Sequence, residues 1–382
     1  MESVYITNAV RAPVGIGKPE KGALYPVAPV DLAAHVLTAV VRRADLDPGS
    51  VEDVILGCAT PIGDQGANIG RLAALKAGFP VEVPGVQLNR MCGSGQQAVH
   101  FAAQAILAGD VQLAIAGGIE MMSHQPLGSD YPEEWPKDFP YQLVHQGESA
   151  ERMAEQWDLN REELDDYSYR SHDRAGRAIR EGYFEGQIEP VPVPDASGGY
   201  VEVDRDQGVR LEPNREKMAE LPPVFREDGV VTAGNSSQIS DGAAALILAS
   251  EEAVRRHGLT PMARLTTRVV VGSDPVLMLS GPIPATRKAL NDTGLSLDEI
   301  DVIEINEAFA SVVLAWEREL APNMDRVNPN GGAIAHGHPL GATGGILMTK
   351  LIHELQRCGG RYGLQTMCIG HGMATASILE SV

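Results

Sequence analysis

The second half of this chain repeats the first. Ala44-Asp45-Leu46-Asp47 and the run Val51–Leu56 are matched by Gly294-Leu295-Ser296-Leu297 and Ile300–Ile305, with Val54 opposite Val302. The turn Cys92-Gly93-Ser94-Gly95 and the helical pattern after it are matched by Gly341-Ala342-Thr343-Gly344 and a helix expected over Ile346–Gln356. An apolar strand follows each time, Leu113–Gly118 and Gly363–Cys368. The offsets are 248 residues at Val54 and Val302 and 249 at Gly95 and Gly344, in the same order. A repeated supersecondary unit constrains the architecture before any single element is read. Inside each repeat, strand-like runs alternate with helical patterns, which argues for an α/β fold with a parallel-rich sheet. The chain should therefore form two duplicated α/β domains packed together. Their helix-start turns, 92–95 and 341–344, should approach one shared site.

In the first half we expect a strand at Ser3–Asn8, a helix at Pro29–Ala44 and a strand at Val51–Gly57. A helix should follow over 66–78, with Ile69, Leu72, Ala73 and Leu75 as its apolar positions. From about Glu120 to Ser240 prolines, aromatics and charges dominate, and only Glu148–Trp157 and Arg161–Glu181 look helical. This stretch reads as an insertion lying over the core, before the apolar strand Ser240–Ser250. The expected division is 1–120 with 240–262, an inserted loop domain at 121–239, and 263–382.

The formal charge of −20 argues against a nucleic-acid partner. No apolar run reaches the ~18 residues that a membrane span needs, and the N-terminus has no basic stretch followed by an apolar one, so no signal peptide is expected. The four cysteines, at 58, 92, 358 and 368, do not make a disulfide framework in a chain of 382 residues. They suit a reducing cytoplasm, where thiols can be catalytic.

Cys92 lies between a short apolar run, Gly85–Leu88, and a helix whose face is Val99, Ala102, Ala103, Ile106 and Leu107. At such a corner, free N–H groups and the helix dipole favour a thiolate and offer donors to an oxyanion. Three further segments fall at equivalent edges of the duplicated core: Asn306-Glu307-Ala308-Phe309, Gly337-His338-Pro339 and Cys368-Ile369-Gly370-His371-Gly372. Together they supply a nucleophilic thiol, an imidazole base, a second thiol and an amide. Reversible carbon–carbon bond formation between thioesters needs such a set: one thiolate to hold an acyl group, a second acid/base at the α-carbon, and donors for an enolate.

From end to end the chain resembles the thiolase family. The motifs that carry the resemblance include Cys92–Gly95, Gly117–Ser123, Thr232–Ser237, Asp241–Ala244, Gly281–Ala285, Asn306–Phe309, Asn330–Ala335, Gly337–Pro339 and Cys368–Gly370. Ser236–Ala245 and Asn306–Val313 look like the degradative thiolases that act on fatty acyl or steroid side-chain thioesters. The resemblance implies a layered αβαβα core and these roles. Cys92 is acylated and His338 takes its proton. Cys368 moves the α-proton of acetyl-CoA. His338 and a water held by Asn306 polarise the thioester oxygen, and the N–H groups of Cys92 and Gly370 form the hole for the acyl-enzyme oxygen. His145, Ala233, Ser237, Ala308 and Phe309 match CoA or pantetheine contacts, and Gln146 and Met278 match positions near the acyl pocket. Coenzyme A enters as substrate, with no tightly bound cofactor and no metal, and a homodimer or homotetramer is implied.

The alternatives are a dedicated acetoacetyl-CoA synthase, a decarboxylating condensing enzyme and a non-catalytic acyl-CoA-binding subunit. The second lacks a counterpart of Cys368, and the third would have lost catalytic residues. A dinucleotide-binding reading fails because Gly63-Asp64-Gln65-Gly66 lacks G-x-G-x-x-G spacing. Cys58 and Cys358 read as structural, and Glu307 as structural rather than catalytic. His336 and His371 depart from the family pattern. A metal reading of these histidines is set aside, because a bound metal would quench the base.

Overall fold

The computed structural model describes residues 3–195 and 197–382. Met1 and Glu2, where the expected first domain opens, and Ala196 of the expected insertion lie outside the described residues. The strands are β1 (Val4–Arg11), β2 (Gly15–Ile16), β3 (Asp53–Gly57), β4 (Gly85–Leu88), β5 (Leu113–Met121), β6 (Val191–Pro194), β7 (Tyr200–Val203), β8 (Ser240–Ser250), β9 (Ala263–Gly272), β10 (Val302–Ile305), β11 (Tyr362–Ile369) and β12 (Met373–Ser381). The helices are α1 (Pro29–Arg43), α2 (Ile69–Lys76), α3 (Ser94–Ala108), α4 (Gln146–Gln156), α5 (Arg161–Arg180), α6 (Arg215–Ala219), α7 (Glu251–His257), α8 (Pro282–Thr293), α9 (Ala310–Leu320), α10 (Ala333–His336) and α11 (Leu340–Cys358).

The duplication is explicit in the strand order. One half runs β1-β8-β5-β3-β4 and the other β9-β12-β11-β10. They join where Tyr5 and Ile6 of β1 pair with Arg264 and Ala263 of β9. Each pairing has its counterpart of the same sense: β1–β8 and β9–β12 antiparallel, β5–β8 and β11–β12 antiparallel, β3–β5 and β10–β11 parallel. The partner of β4 in the second half has shrunk to one parallel bridge, Ile303 to Val327. The sheets are thus mixed rather than parallel-rich. The short turn at 370–372 forces β11 and β12 to be antiparallel, and β8 keeps that sense in the first half.

Alternation along the strands builds the layers. Ile115, Ala245 and Ile247 face α1 and α2, while Ala114, Ala116, Leu246 and Leu248 face α3 and α11. Val302, Leu265 and Leu379 of the second half close on the same two helices from the other side. The opposite face of that half, with Ile303, Leu364 and Ala376, packs on α8 and α9. The order is helix, sheet, helix, sheet, helix, with α3 and α11 in the middle. Helices α4 and α5 lie over α9 and α10. Among the described residues, no helix is long and apolar enough to cross a membrane.

The two central helices cross at their N-terminal turns, backbone against backbone. A Cβ on Gly95 would sit 2.7 Å from the Gly341 carbonyl oxygen, and one on Gly344 would collide with the backbone nitrogen of Gln96. In an open helix Gly→Ala gains about 1 kcal/mol. Here the struck atom is backbone and cannot turn aside, so overpacking, about 1–3 kcal/mol, outweighs that gain. Gly344→Ala should lower the urea midpoint; an unchanged or raised midpoint would mean the helices cross less closely.

Two expectations differ in detail. Helix α11 begins at Leu340, behind Pro339, so Gly341–Gly344 form its first turn rather than a turn before it. Leu72 and Leu75 of α2 are 42% and 41% exposed, not core.

Candidate active site

Cys92 stands two residues before α3. The corner is tight: Met91 holds φ at +47°, and the Ser94 hydroxyl donates to Met91 O at 2.6 Å while accepting from the Arg90 N–H at 2.9 Å. Gly93 lies flat against the Ile369 side chain, which brings the end of β11 onto the corner. The N–H groups of Gly370 and of Cys92 itself lie close enough to the Cys92 sulfur to favour its thiolate. Donors at that sulfur are of the kind that can serve the oxygen of an acyl group carried on it.

The helix end does not make Cys92 a resting thiolate. Burial pushes its thiol up to about 11, against the pull of the two N–H groups. Desolvation in a residue only 4% exposed outweighs the dipole. Cys368, on β11, is pushed up as well, first by burial and then by the nearby Cys92. The two thiols share one site.

His338 is anchored by its N–H, which donates to Gln238 O at 3.0 Å. Its Nδ1 lies 2.6 Å from Thr343 Oγ1, and the Thr343 hydroxyl donates to Pro339 O at 2.8 Å. With that hydrogen committed, Oγ1 accepts from Nδ1–H. This fixes the tautomer and leaves the Nε2 lone pair free, 3.3 Å from Asn306 Nδ2. Burial lowers His338 to about 4, so the ring is neutral near pH 7 and can take a proton. Asn306 is fully buried, and its Oδ1 has no protein partner. Its amide Nδ2 faces the imidazole directly. Leu340, two residues past His338, packs with Cys92, Met122 and Met367, so the histidine loop and the cysteine corner meet in one apolar cluster.

Thr343 is absent from the residues picked out by sequence. The signal was in the repeat: Thr343 falls where Ser94 falls in the first half, and both hydroxyls tie down a helix start. Thr343→Val keeps the volume but removes the acceptor for Nδ1–H. It should lower kcat about tenfold or more, within the ~10²–10⁴ that acid–base help supplies, and should alter the acid limb of the pH profile. Thr343→Ser should restore both. A Val variant with wild-type kcat and pH profile would show that the hydroxyl only braces the helix.

The expected CoA contacts gather on one face. His145 caps α4, its Nδ1 accepting from Gly147 N–H at 3.1 Å. Its ring stacks on Phe225 at 5.2 Å, and Phe225 meets Phe309 edge-on at 6.1 Å. Ser237 N–H donates to Ala308 O at 2.9 Å. Ala233 is exposed in a turn held by Thr232 and Asn235. Below them Met278, Ala308, Phe309 and Cys368 form one buried cluster. Gln146, Met278 and Gly370 line a cavity of roughly 360 Å³.

The remaining candidates separate cleanly. Cys58 is buried at the end of β3 beside Glu120, and Cys358 is exposed at the end of α11. Glu307 accepts from Tyr167, Ser171, Asn328 and the Ile334 N–H, a structural hub. His336 is turned away from His338: its nitrogens face Asp206 and the Asn330 carbonyl, each at 2.8 Å, and Asp206 also holds the buried Arg11.

The family profile described as "Thiolase, N-terminal domain" matches residues 4–252, and "Thiolase, C-terminal domain" matches 259–381. The chain is 48% identical to the steroid 3-ketoacyl-CoA thiolase FadA6 of Mycobacterium tuberculosis, over 100% of this chain and 94% of that protein. It is 42% identical to a beta-ketoadipyl-CoA thiolase of Acinetobacter baylyi, over the whole of both. Among solved structures, the Bacillus anthracis acetyl-CoA acetyltransferase superposes with a TM-score of 0.92 at 40% identity, and human mitochondrial 3-ketoacyl-CoA thiolase with 0.92 at 36%. Each covers 100% of this chain and 99% of its own. Two matched domains, a duplicated five-layer fold and two thiols sharing one buried site lead to one assignment: the chain belongs to the thiolase family.

Proposed function

We propose that this acyltransferase cleaves 3-ketoacyl-CoA with CoA, reversibly, and that Cys92 carries the acyl group. Cys92 sulfur attacks C3 of the substrate while its proton passes to His338 Nε2. The C2–C3 bond breaks, and its electron pair leaves as the enolate of acetyl-CoA. Cys368 gives its proton to C2. Incoming CoA returns a proton to Cys368 and attacks the acyl group, and Cys92 leaves and recovers its proton from His338. The N–H groups of Gly370 and Cys92 hold the acyl oxygen, and Asn306 and His338 the thioester oxygen of the enolate. The observation that carries this reading is the pairing of a sulfur reached by two N–H groups with a second buried thiol beside it.

The substrate would lie with its pantetheine along His145, Ala233 and Ser237, above Ala308 and Phe309, so that 121–239 serves as the CoA-binding insertion between 1–120 with 240–262 and 263–382. CoA is a substrate here, and the chemistry calls for no tightly bound cofactor. Four free thiols suit a reducing cytoplasm. The edge strand β4, with Val86 44% exposed next to the exposed Leu72 and Leu75 of α2, suits strand pairing with a second copy, since an open edge invites it. The role is degradative, on fatty acyl or steroid-derived thioesters, rather than dedicated acetoacetyl-CoA synthesis.

The test is a thiolysis profile with pure protein, acetoacetyl-CoA against longer 3-ketoacyl-CoA, reading acetyl-CoA release. A preference for longer chains supports the degradative role. Activity confined to acetoacetyl-CoA points to the biosynthetic one, and no release from any substrate by folded protein removes the proposal.

A further inference from the structure

The turn that supplies Gly370 also carries His371, which no step above uses. His371 holds φ at +62°, beside Gly372 at +76°, where a glycine would rest without steric cost. A side chain kept in a disfavoured conformation at an active-site mouth is a pointer to function. Its ring packs against Tyr131 and Trp135, with centroids at 6.1 and 5.8 Å, and Trp135 is edge-on at 80°. Its Nδ1 is buried without a hydrogen-bond partner.

Two adjoining cavities share Trp135, Leu143 and His371. The inner one, roughly 360 Å³, runs from His145 on the proposed pantetheine path to Gly370. The outer one, roughly 430 Å³, runs along Phe139 and Tyr141. The outer one alone is in the range of about 300–1,000 Å³ that takes drug-sized molecules, far beyond the methyl group of acetoacetyl-CoA. Tyr131, Trp135 and Phe139 remain 39%, 41% and 42% exposed, an aromatic surface awaiting cover. Flat aromatic walls suit a ring better than a flexible chain. The segment around them carries Asp130, Glu133, Glu134 and Asp138 against Lys137, which disfavours an acyl group ending in a carboxylate.

Resting on the thiolase reading above, we propose that these joined cavities take the acyl part of a 3-ketoacyl-CoA bearing a broad, uncharged ring system. An oxygen on the ring hydrogen-bonds to His371, and Trp135 packs on the ring.

The test compares kcat/KM in thiolysis for acetoacetyl-CoA, a straight-chain 3-ketodecanoyl-CoA, 3-oxoadipyl-CoA, and a 3-ketoacyl-CoA carrying a fused bicyclic ring with and without a ring ketone. The bicyclic ketone should lead the other acyl types by about tenfold or more. Trp135→Ala should cut the ratio of either bicyclic substrate to acetoacetyl-CoA about tenfold. His371→Phe keeps an aromatic ring, so it should lose only the preference for the ring ketone. Melting temperatures confirm folding. If acetoacetyl-CoA is cleaved but no ring preference exists, or the ketone preference survives His371→Phe, or 3-oxoadipyl-CoA leads, this substrate assignment falls and the thiolase reading stands. If no substrate is cleaved, both fall.

Discussion

Protein incubated with acetyl-CoA and then digested should carry an acetyl thioester on Cys92 and on no other cysteine. All four thiols are free, so access and stabilisation decide among them. Cys58 is fully buried, and both desolvation and the Glu120 carboxylate oppose its ionisation. Cys358 is exposed but ends a surface helix, its sulfur donating to the Leu355 carbonyl, with no converging donors for an oxyanion. Cys368 is buried in an apolar cluster, and nearby Cys92 opposes its thiolate. Only Cys92 has N–H groups from two residues directed at its sulfur. Cys92→Ala should therefore lose about 10⁴-fold or more in turnover, the scale seen when a nucleophile is removed, with the melting temperature nearly kept. Label on any other cysteine would overturn the assignment.

The fold was legible because the repeat was. Val54 opposite Val302 and Gly95 opposite Gly344 correspond to β3 opposite β10 and to the crossing of α3 with α11. Strand sense was not legible: an apolar run such as Ala243–Leu248 reads the same in either direction, and what makes its counterpart β12 antiparallel is a short turn. The start of α11 was misjudged because Gly341, Gly344 and Gly345 look like a loop. They are helical because the two helices can cross there only without side chains. Leu72 and Leu75 fitted a buried helix face by spacing, yet periodicity cannot tell a core face from an exposed one. In the site, Cys92, His338, Cys368 and Asn306 were each picked out from motif and position, and the structure places Asn306 beside His338 and Cys368 near Cys92. The state of Cys92 was not, because the helix-end argument omits desolvation, and burial is invisible in a motif. Thr343 was missed because its role exists only through His338 Nδ1, a contact across one turn.

Cys368→Ala and His338→Ala should fail in different ways. Forming the acyl-enzyme needs the Cys92 proton to go to His338, whose Nε2 is held free by Thr343, and does not need Cys368. Removing an α-hydrogen from acetyl-CoA needs a base at that carbon, the role proposed for the buried Cys368 near Cys92. Cys368→Ala should therefore still accept an acetyl group on Cys92 but not exchange the α-hydrogens of acetyl-CoA with deuterated water. His338→Ala should be slow in both, since the same imidazole activates Cys92 and polarises the thioester oxygen. Each loss should be about 10²–10⁴-fold. The neutral His338 adds a sign that can be checked. Its folded value of about 4 lies below the ordinary ~6.5, so the base stays unprotonated as pH falls through 6.5 and is lost only near 4. Acylation limited by His338 should hold down to about pH 5, and any limb near 6.5 would belong to another group. His371, three residues past Cys368, is the one imidazole that could substitute for the missing thiol. Its ring packs against Tyr131 and Trp135 in the cavity wall, so exchange should stay absent in Cys368→Ala whether or not His371 is also replaced by alanine. If Cys368→Ala exchanges at the wild-type rate and the double variant does not, the base is His371, and the proton role given to Cys368 is wrong.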